Sequence, residues 1–515
     1  MSQSGAVAAG HPLTVETALE VLKAGGNAFD AAIAAHFTAC IVEPVLASLG
    51  GGGFLLAQPA TQKCRVFDFF VQTPQCKAGA AEIDFSPIAA DFGAVTQEFH
   101  IGQGAVATPG SVKGLFEIHA RLGSMPMREL VAPAVAHARA GVAVNVFQSY
   151  IFDIVSPILR ATPAASAIFC NGMDEGLPAV GDKLCFPELA DSLEALAQEG
   201  AELFYQGEIA QRIVEQSLSN GGHLRRQDLL SYRVITSEPL RFDYRGCHLL
   251  TNPPPSSGGI LIAFALQLWG RLVDLPLDYG EYRHLALLVE IMAVTKQARI
   301  DAQLNGPGVL SAAHLLDDAM LERYRAQVWG RARAPRGTTH ISVIDRWYNV
   351  ASMTVSNGEG CGDIVPGTGI MLNNMLGEED LNPEGFHTWK ENQRMTSMMA
   401  PTIINSPDGA LLALGSGGSN RIRTALLQTI INLVDFGMSM GEAIASPRLH
   451  YENGLLNLEA GYATDSLRYL LERYTEHKQW SEANLYFGGV HGVMERNGEF
   501  LAVGDARRGG AGDII

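Results

Sequence analysis

The 515 residues, 47% of them hydrophobic, suffice for a large core, and the length is on the scale of more than one ordinary domain. Asp and Glu number 54 against 37 Lys and Arg, a formal net charge of −17 that repels phosphate backbones and anionic lipid surfaces alike. Nucleic acid and membrane are therefore poor partners.

In chain order, Thr14 is the expected cap of a helix with apolar positions Val15, Ala18, Leu19 and Leu22, ending at Gly25 and Gly26. A second helix starts near Asn27 and carries a face of small residues, Ala28, Ala31, Ala32 and Ala35, suited to close helix approach. Gly50 to Gly53 then lead into an apolar strand. A phosphate-cradling loop would need a Lys-[ST] step that is missing here. Residues 110 to 240 read as mostly helical, with "LADSLEALAQEG" and "IAQRIVEQSLSNGG" as amphipathic segments closed by glycine. "NPPPSSGG" makes a rigid turn before an apolar helix, and "GRARAPRG", residues 330–337, reads as an exposed linker and the best boundary in the chain. Beyond it, "TTHISVID" and "VASMTVS" form a hairpin through "RWYN". Strands follow at "GIMLNN", "PTIINSP" and "ALLALGSGG", then a helix from about Arg423 to Phe436. The pattern predicts a layered α/β arrangement in which both halves contribute to one core.

The seven cysteines, Cys361 among them, have neither C-x-x-C nor disulfide spacing and read as free thiols without a nucleophilic signature. His11, His36, His100 and His340 do not stand at metal-ligand spacing, and neither a metal nor an organic cofactor is expected. The first 26 residues lack the charged, apolar and cleavage regions of a secretory leader, so the expectation is a cytoplasmic protein.

The junction Gly337-Thr338 raises the chemical question. A threonine hydroxyl needs a base, and the residue's own α-amine serves once the peptide bond before it is broken. With a reference pKa of about 7.7–8.0 that amine is partly neutral near neutral pH. Taken alone, Gly-Thr-Thr entering a strand is more often structural than catalytic. Two other stretches bear on the choice. Thr354, Ser356 and Asn357 fall on the neighbouring strand, where a hydroxyl can orient a nucleophile, and Gly417-Gly418 in "GSGGSNR" can offer two N–H groups to an oxyanion.

The ordered series "GGNAFDAAIA", "LGGGGFLL", "ATPGSVKGL", "NPPPSSGGI", "TTHISVID", "PGTGIMLNN", "SMMAPTII" and "GSGGSNRI", running on to "DARRGG", resembles the γ-glutamyltranspeptidase family of N-terminal nucleophile hydrolases. The resemblance implies a four-layer αββα sandwich and a proenzyme cut between Gly337 and Thr338. A large subunit, 1–337, and a small catalytic subunit, 338–515, would then share one interleaved domain. It implies Thr338 as nucleophile within a Thr-Thr-His signature, Ser356 as the hydroxyl orienting it, and Gly417 and Gly418 as the oxyanion hole. Thr396 and Ser397 would hold a substrate α-carboxylate and Glu378 its α-amino group, with Asn357 a further substrate contact. The partners implied are a small amide or γ-glutamyl substrate such as glutathione, and the two fragments for each other, with a homodimer left open.

One departure bears on the substrate. Where the family has an arginine clamping the α-carboxylate, "FDFFVQTPQ" places Phe70, an apolar ring in place of a bidentate cation. The leading expectation is a self-processing amidohydrolase with an altered acyl donor. The alternatives are a γ-glutamyltransferase that uses Arg421 or Arg394 as its cation, and an uncleaved binding protein of the same fold.

Overall fold

A computed structural model describes residues 4–79, 82–91, 96–170, 176–273, 277–304, 315–325, 338–382 and 385–515. The first helix, Pro12–Lys23, begins two residues before the predicted cap. Pro12 fits the first turn because it lacks the N–H that would have no helical partner, and the His11 ring accepts from Leu13 N at 3.2 Å instead. Thr14 is buried inside the helix rather than at its cap. The second helix, Ala28–Val42, starts at Asn27 as predicted, with a capping box to Asp30. Every residue of it is buried, as expected of a helix apolar all round that packs on a sheet on one side and helices on the other.

Two antiparallel sheets make the centre. The first runs in the order Ala511–Ile514, Gly5–Ala9, Thr339–Asp345, Val350–Ser356, Gly52–Gln58, Arg65–Asp68, Ile235–Ser237. The second runs Glu499–Val503, Gly489–Arg496, Leu411–Gly417, Thr402–Asn405, Cys247–Thr251, Leu240–Tyr244. Alternation along the strands sorts the residues: Val7, Ala9, Leu55, Ile341, Val343 and Met353 pack against the helices Pro12–Lys23 and Ala28–Val42. Ala6, Ala8, Phe54, Leu56 and Ile344 share a core with the second sheet and with the helices Gly258–Leu272 and Asn420–Val434 beyond it. The result is helix, sheet, sheet, helix, the expected four layers. The helix expected from Arg423 starts at Asn420, and "GIMLNN" contributes only the two-residue strand Ile370–Met371. The linker 330–337 lies outside the described residues.

Both sheets mix strands from either side of residue 338. The hairpin Thr339–Ser356 is flanked by Gly5–Ala9 on one side and Gly52–Gln58 on the other, with Ile341 opposite Ala9 and Thr354 opposite Phe54. A break before Thr338 would therefore leave two fragments hydrogen-bonded within shared sheets.

The space between the sheets is partly polar. His340 Nδ1 and Nε2 meet the hydroxyls of Thr354 and Ser342, each at 2.8 Å. Burial, and then His491, hold this imidazole well below its usual pKa, so it bridges as a neutral ring. Gly415 on the second sheet makes room for it, since a Cβ there would lie 2.1 Å from His340 Cε1. Gly415→Ala should destabilise the protein by about 1–3 kcal/mol, through overpacking. Denaturant unfolding checks this, and His340→Ala in the same chain should recover part of the loss.

Candidate active site

Thr339 stands opposite Val355 and His340 opposite Thr354, so the same register sets Thr338 opposite Ser356 at the end of the hairpin. Alternation turns Thr338 to the side of His340 and Ser342, and Thr339 to the helix side. Thr338 and Ser356 line one small pocket with Phe70, Met375, Glu378, Leu381, Ser397, Met398, Met399, Ser419 and Ile422. The pocket thus gathers four of the predicted residues, Thr338, Ser356, Glu378 and Ser397, together with the departure at Phe70.

Each comes from a different element. Ser356 ends its strand, and its Oγ accepts from Gly358 N at 3.1 Å. Its strand lies tightly against Gly51, where a Cβ would come 2.4 Å from Ser356 O, so the glycine run serves close backbone packing and not phosphate binding. Ser397 is held by the serine corner of "NPPPSSGG". Ser256 Oγ and the N–H groups of Ser257 and Gly258 donate to Ser397 O at 3.0, 2.9 and 3.2 Å, and Ser397 Oγ accepts from Met399 N at 3.1 Å. Glu378 is buried beside Gly358, where a Cβ would meet its Oε1 at 2.5 Å.

Gly417 stands directly behind the threonine, with Gly418 next to it against Gly488 and Arg508. A Cβ on Gly417 would lie 1.9 Å from Thr338 O. Gly418, at φ +118, and Ser419, at φ +49, make the turn into the helix Asn420–Val434, and a non-glycine residue in that region stores about 1–3 kcal/mol of strain. The positive end of the helix dipole opens on the pocket at Ser419 and Ile422.

Other predicted residues lie elsewhere. Gly337 is outside the described residues. Thr396 is outside the pocket lining. So is Asn357, whose buried side-chain amide has no hydrogen-bond partner among the described residues. Neither arginine of the alternative reading reaches the pocket. Arg394 pairs with Asp68 at 3.7 Å, bonds the Phe70 carbonyl, and donates to Tyr232 Oη and Arg233 O at 2.5 Å each. Arg421 donates from Nε to Tyr486 O at 2.7 Å and stacks on that ring. The Cys361 thiol is buried and pushed up to about 12, unsuited to nucleophilic work. Among the described residues, no group of His, Cys, Asp and Glu is placed to hold a metal ion.

Two buried charges near the threonine were missed. Arg508 donates from Nη1 to Thr338 O at 3.1 Å, and Glu43 Oε1 accepts from Thr339 Oγ1 at 2.9 Å. Burial and the neighbouring Arg421 lower Arg508 to about 9, with Asp505, Glu43 and Glu359 opposing, so it is a cation at neutral pH. The sequence signals were faint: "DARRGG" stands near the C-terminus, and Glu43 is one acid in the apolar run from Ala31 to Leu56. Ser419, Ile422, Met398 and Met399 lay within quoted motifs but were given no role there, and Met375 and Leu381 carried no signal.

Comparison with known proteins places this geometry. Cephalosporin acylase from Bacillus halodurans superposes with a TM-score of 0.85 at 23% identity, over 99% of this chain and 96% of that one. Helicobacter pylori gamma-glutamyltranspeptidase matches with a TM-score of 0.54 at 26% identity, over 63% of this chain and 92% of that chain. The fold is that of the N-terminal nucleophile hydrolases. The family model described as gamma-glutamyltranspeptidase matches residues 14–514, and the chain belongs to that family. Its relatives include the glutathione hydrolase proenzyme of Bacillus subtilis (strain 168), 30% identical over 99% of this chain and 91% of the relative. The acylase ACY 1 proenzyme of Pseudomonas sp. (strain V22) is 31% identical over 91% and 86%. The protein is a γ-glutamyltranspeptidase-like amidohydrolase.

Gly417→Ala would drive a methyl into the Thr338 carbonyl, and a displacement near 1 Å at a reacting centre costs about 100-fold in rate. The expected outcome is a loss of that order in kcat/KM with the circular dichroism spectrum unchanged, measured on the purified variant.

Proposed function

We propose that Thr338 is the nucleophile of a self-processing amidohydrolase. The observation that carries this reading is the convergence on one threonine of a strand end opposite Ser356, a glycine pressed on its carbonyl, and the N-terminus of a 15-residue helix.

In maturation, Thr338 Oγ attacks the Gly337 carbonyl. The C–N bond breaks as the nitrogen takes the hydroxyl proton, and water hydrolyses the resulting ester to leave a free Thr338 α-amine. In turnover that amine accepts the Oγ proton while Oγ adds to the substrate amide. The N–H groups of Gly417 and Gly418, with the helix dipole, stabilise the tetrahedral oxyanion. The protonated amine then gives its proton to the leaving nitrogen, and water, deprotonated by the same amine, releases the acyl group. Ser356 hydrogen-bonds and orients Oγ.

The relatives' names point to two donor classes, glutathione for some and the substrates of acylases for others. The lining here favours the second. Phe70, Met375, Leu381, Met398, Met399 and Ile422 are apolar, Glu378 supplies a buried carboxyl, and no lysine or arginine stands among the described lining residues. Among the described lining residues a γ-glutamyl α-carboxylate would meet no cation, whereas an acyl group with an apolar body and an uncharged or amino end fits. Glu378 receives the amino end, and Ser397 a neutral polar group.

Two measurements test this. Wild-type protein on a denaturing gel should give fragments of about 36 and 19 kDa, dividing the 55.2 kDa chain by length. Thr338→Ala should stay at full length and inactive. An uncut wild type without activity overturns the nucleophile assignment. For the donor, kcat/KM on amides with neutral apolar acyl groups should exceed that on γ-glutamyl-p-nitroanilide by at least about tenfold, the discrimination of one mismatched polar contact. The reverse order would overturn it.

A further inference from the structure

Glu43 is placed where stability alone would not put it. It caps the C-terminal end of the helix Ala28–Val42, the negative end of the dipole, and it is buried. Burial pushes its carboxyl up to about 7 against the pull of the Thr339 hydroxyl and Arg508. Only one of its oxygens is used: Oε1 accepts from Thr339 Oγ1, and Oε2 has no hydrogen-bond partner among the described residues. A leucine or glutamine here would avoid much of that cost.

The surroundings are shaped to admit this pair. Gly10, at the end of the strand Gly5–Ala9, lies over it. A Cβ there would stand 2.3 Å from Glu43 Oε1 and 2.6 Å from Thr339 Oγ1. Arg508 holds the carbonyl of Thr338. The peptide joining Thr338 to Thr339 is thus gripped at its carbonyl by a cation from the C-terminal segment. One residue on, the chain is gripped at a hydroxyl by a carboxyl from the N-terminal segment. Thr338 begins the hairpin, so strand pairing restrains it from one direction only, and these two contacts supply the restraint the missing strand would have given.

We propose that Glu43 is a positioning residue for the nucleophile, acting through the Thr339 hydroxyl to fix the Thr338–Thr339 peptide for both self-cleavage and amide hydrolysis. The proposal rests on Thr338 being the nucleophile. What it requires of Glu43 is a hydrogen-bond acceptor at one point, not a proton donor to substrate, because the carboxyl lies on the helix side of the sheet and is absent from the pocket lining.

The test compares Glu43→Ala, Glu43→Gln, Thr339→Val and the Glu43→Ala/Thr339→Val pair, in full-length protein. Expected for each of Glu43→Ala and Thr339→Val is slower appearance of the two fragments and, after maturation, a fall of about tenfold or more in kcat with KM within about threefold. The double variant should be no worse than about threefold below the worse single one, as for two residues acting through one contact. Glu43→Gln keeps the acceptor and should retain kcat within about threefold of wild type, a rescue that loss of packing would not produce. Should Glu43→Ala fail to fold, Thr339→Val and Gly10→Ala, which crowds the same contact, carry the test with the same expected split. Variants that mature and turn over like wild type would overturn the proposal. So would losses that multiply in the double variant, or Glu43→Gln as impaired as Glu43→Ala. A wild type that neither cleaves nor hydrolyses would instead overturn the nucleophile reading, so the two failures are distinct.

Discussion

The site depends on the register of one hairpin. Because Thr339 pairs with Val355, the residue before it meets Ser356, and a slip of one residue would turn Thr338 toward the helices and Thr339 toward the pocket. The hairpin cannot slip easily, since it is the middle of a seven-stranded sheet with partners on both edges. Its inward face carries His340, Ser342 and Thr354, whose hydrogen bonds are satisfied in this pairing and would be lost in another. A polar layer between two sheets is costly unless complete, and here it penalises alternative registers. Apolar residues in the same places would bury as well and specify less.

A second constraint arrives from the C-terminus. Asp505 is buried between Arg448, at 2.8 Å, and Arg507, at 3.2 Å, and Arg507 also pairs with Glu459 at 2.6 Å. Burial alone would raise Asp505, but the two arginines pull it down to about 2, so it is ionised throughout the neutral range. Asp505 also accepts from Val490 N at 2.9 Å, which ties the segment to the second sheet. Buried ion networks of this kind add little net stability, because desolvation offsets most of the attraction. What they do here is fix the segment Asp505–Gly509 in space, and Arg508 leaves that segment for the Thr338 carbonyl. Thr338 is thereby referenced to both sheets at once.

How much of this was legible in the sequence follows from where each residue sits. Strands and helices with strong periodicity were read correctly, including the helix start near Asn27 and the hairpin through "RWYN". The errors were at ends: Thr14 was read as the first cap because it is the usual residue type, while His11 and Pro12 do that work. Thr338 and Ser356 stand at the ends of the two strands of one hairpin, so their pairing is local, whereas the glycine pair stands on the other sheet and was found through the motif "GSGGSNRI". Glu43 and Arg508 are partners only because the fold joins residues far apart in the chain, and one chain holds no record of such pairing. The same is true of Arg394, whose charge was available in the sequence but whose engagement with Asp68 and the Phe70 backbone was not.

The candidate catalytic residues and the rest of the pocket lining therefore belong to different kinds of structure. Ser356 and Gly417 end strands and Thr338 directly precedes one, so all three are held by ladders that cannot change without unfolding a sheet. Met375, Glu378, Leu381, Ser397, Met398 and Met399 project from short 3₁₀ turns and loops between Asn374 and Ala400, where a side chain can change without moving a strand. Phe70 is intermediate: it lies two residues past the strand Arg65–Asp68 and stacks on Phe54 at 5.6 Å, so exchanging it for a cation would disturb the core as well as the pocket. An apolar residue at that position is thus secured by packing, and the loops facing it are free to adapt to whatever acyl group an apolar wall admits. The sheets hold Thr338, Ser356 and Gly417 in place, and the loops shape the pocket that faces them.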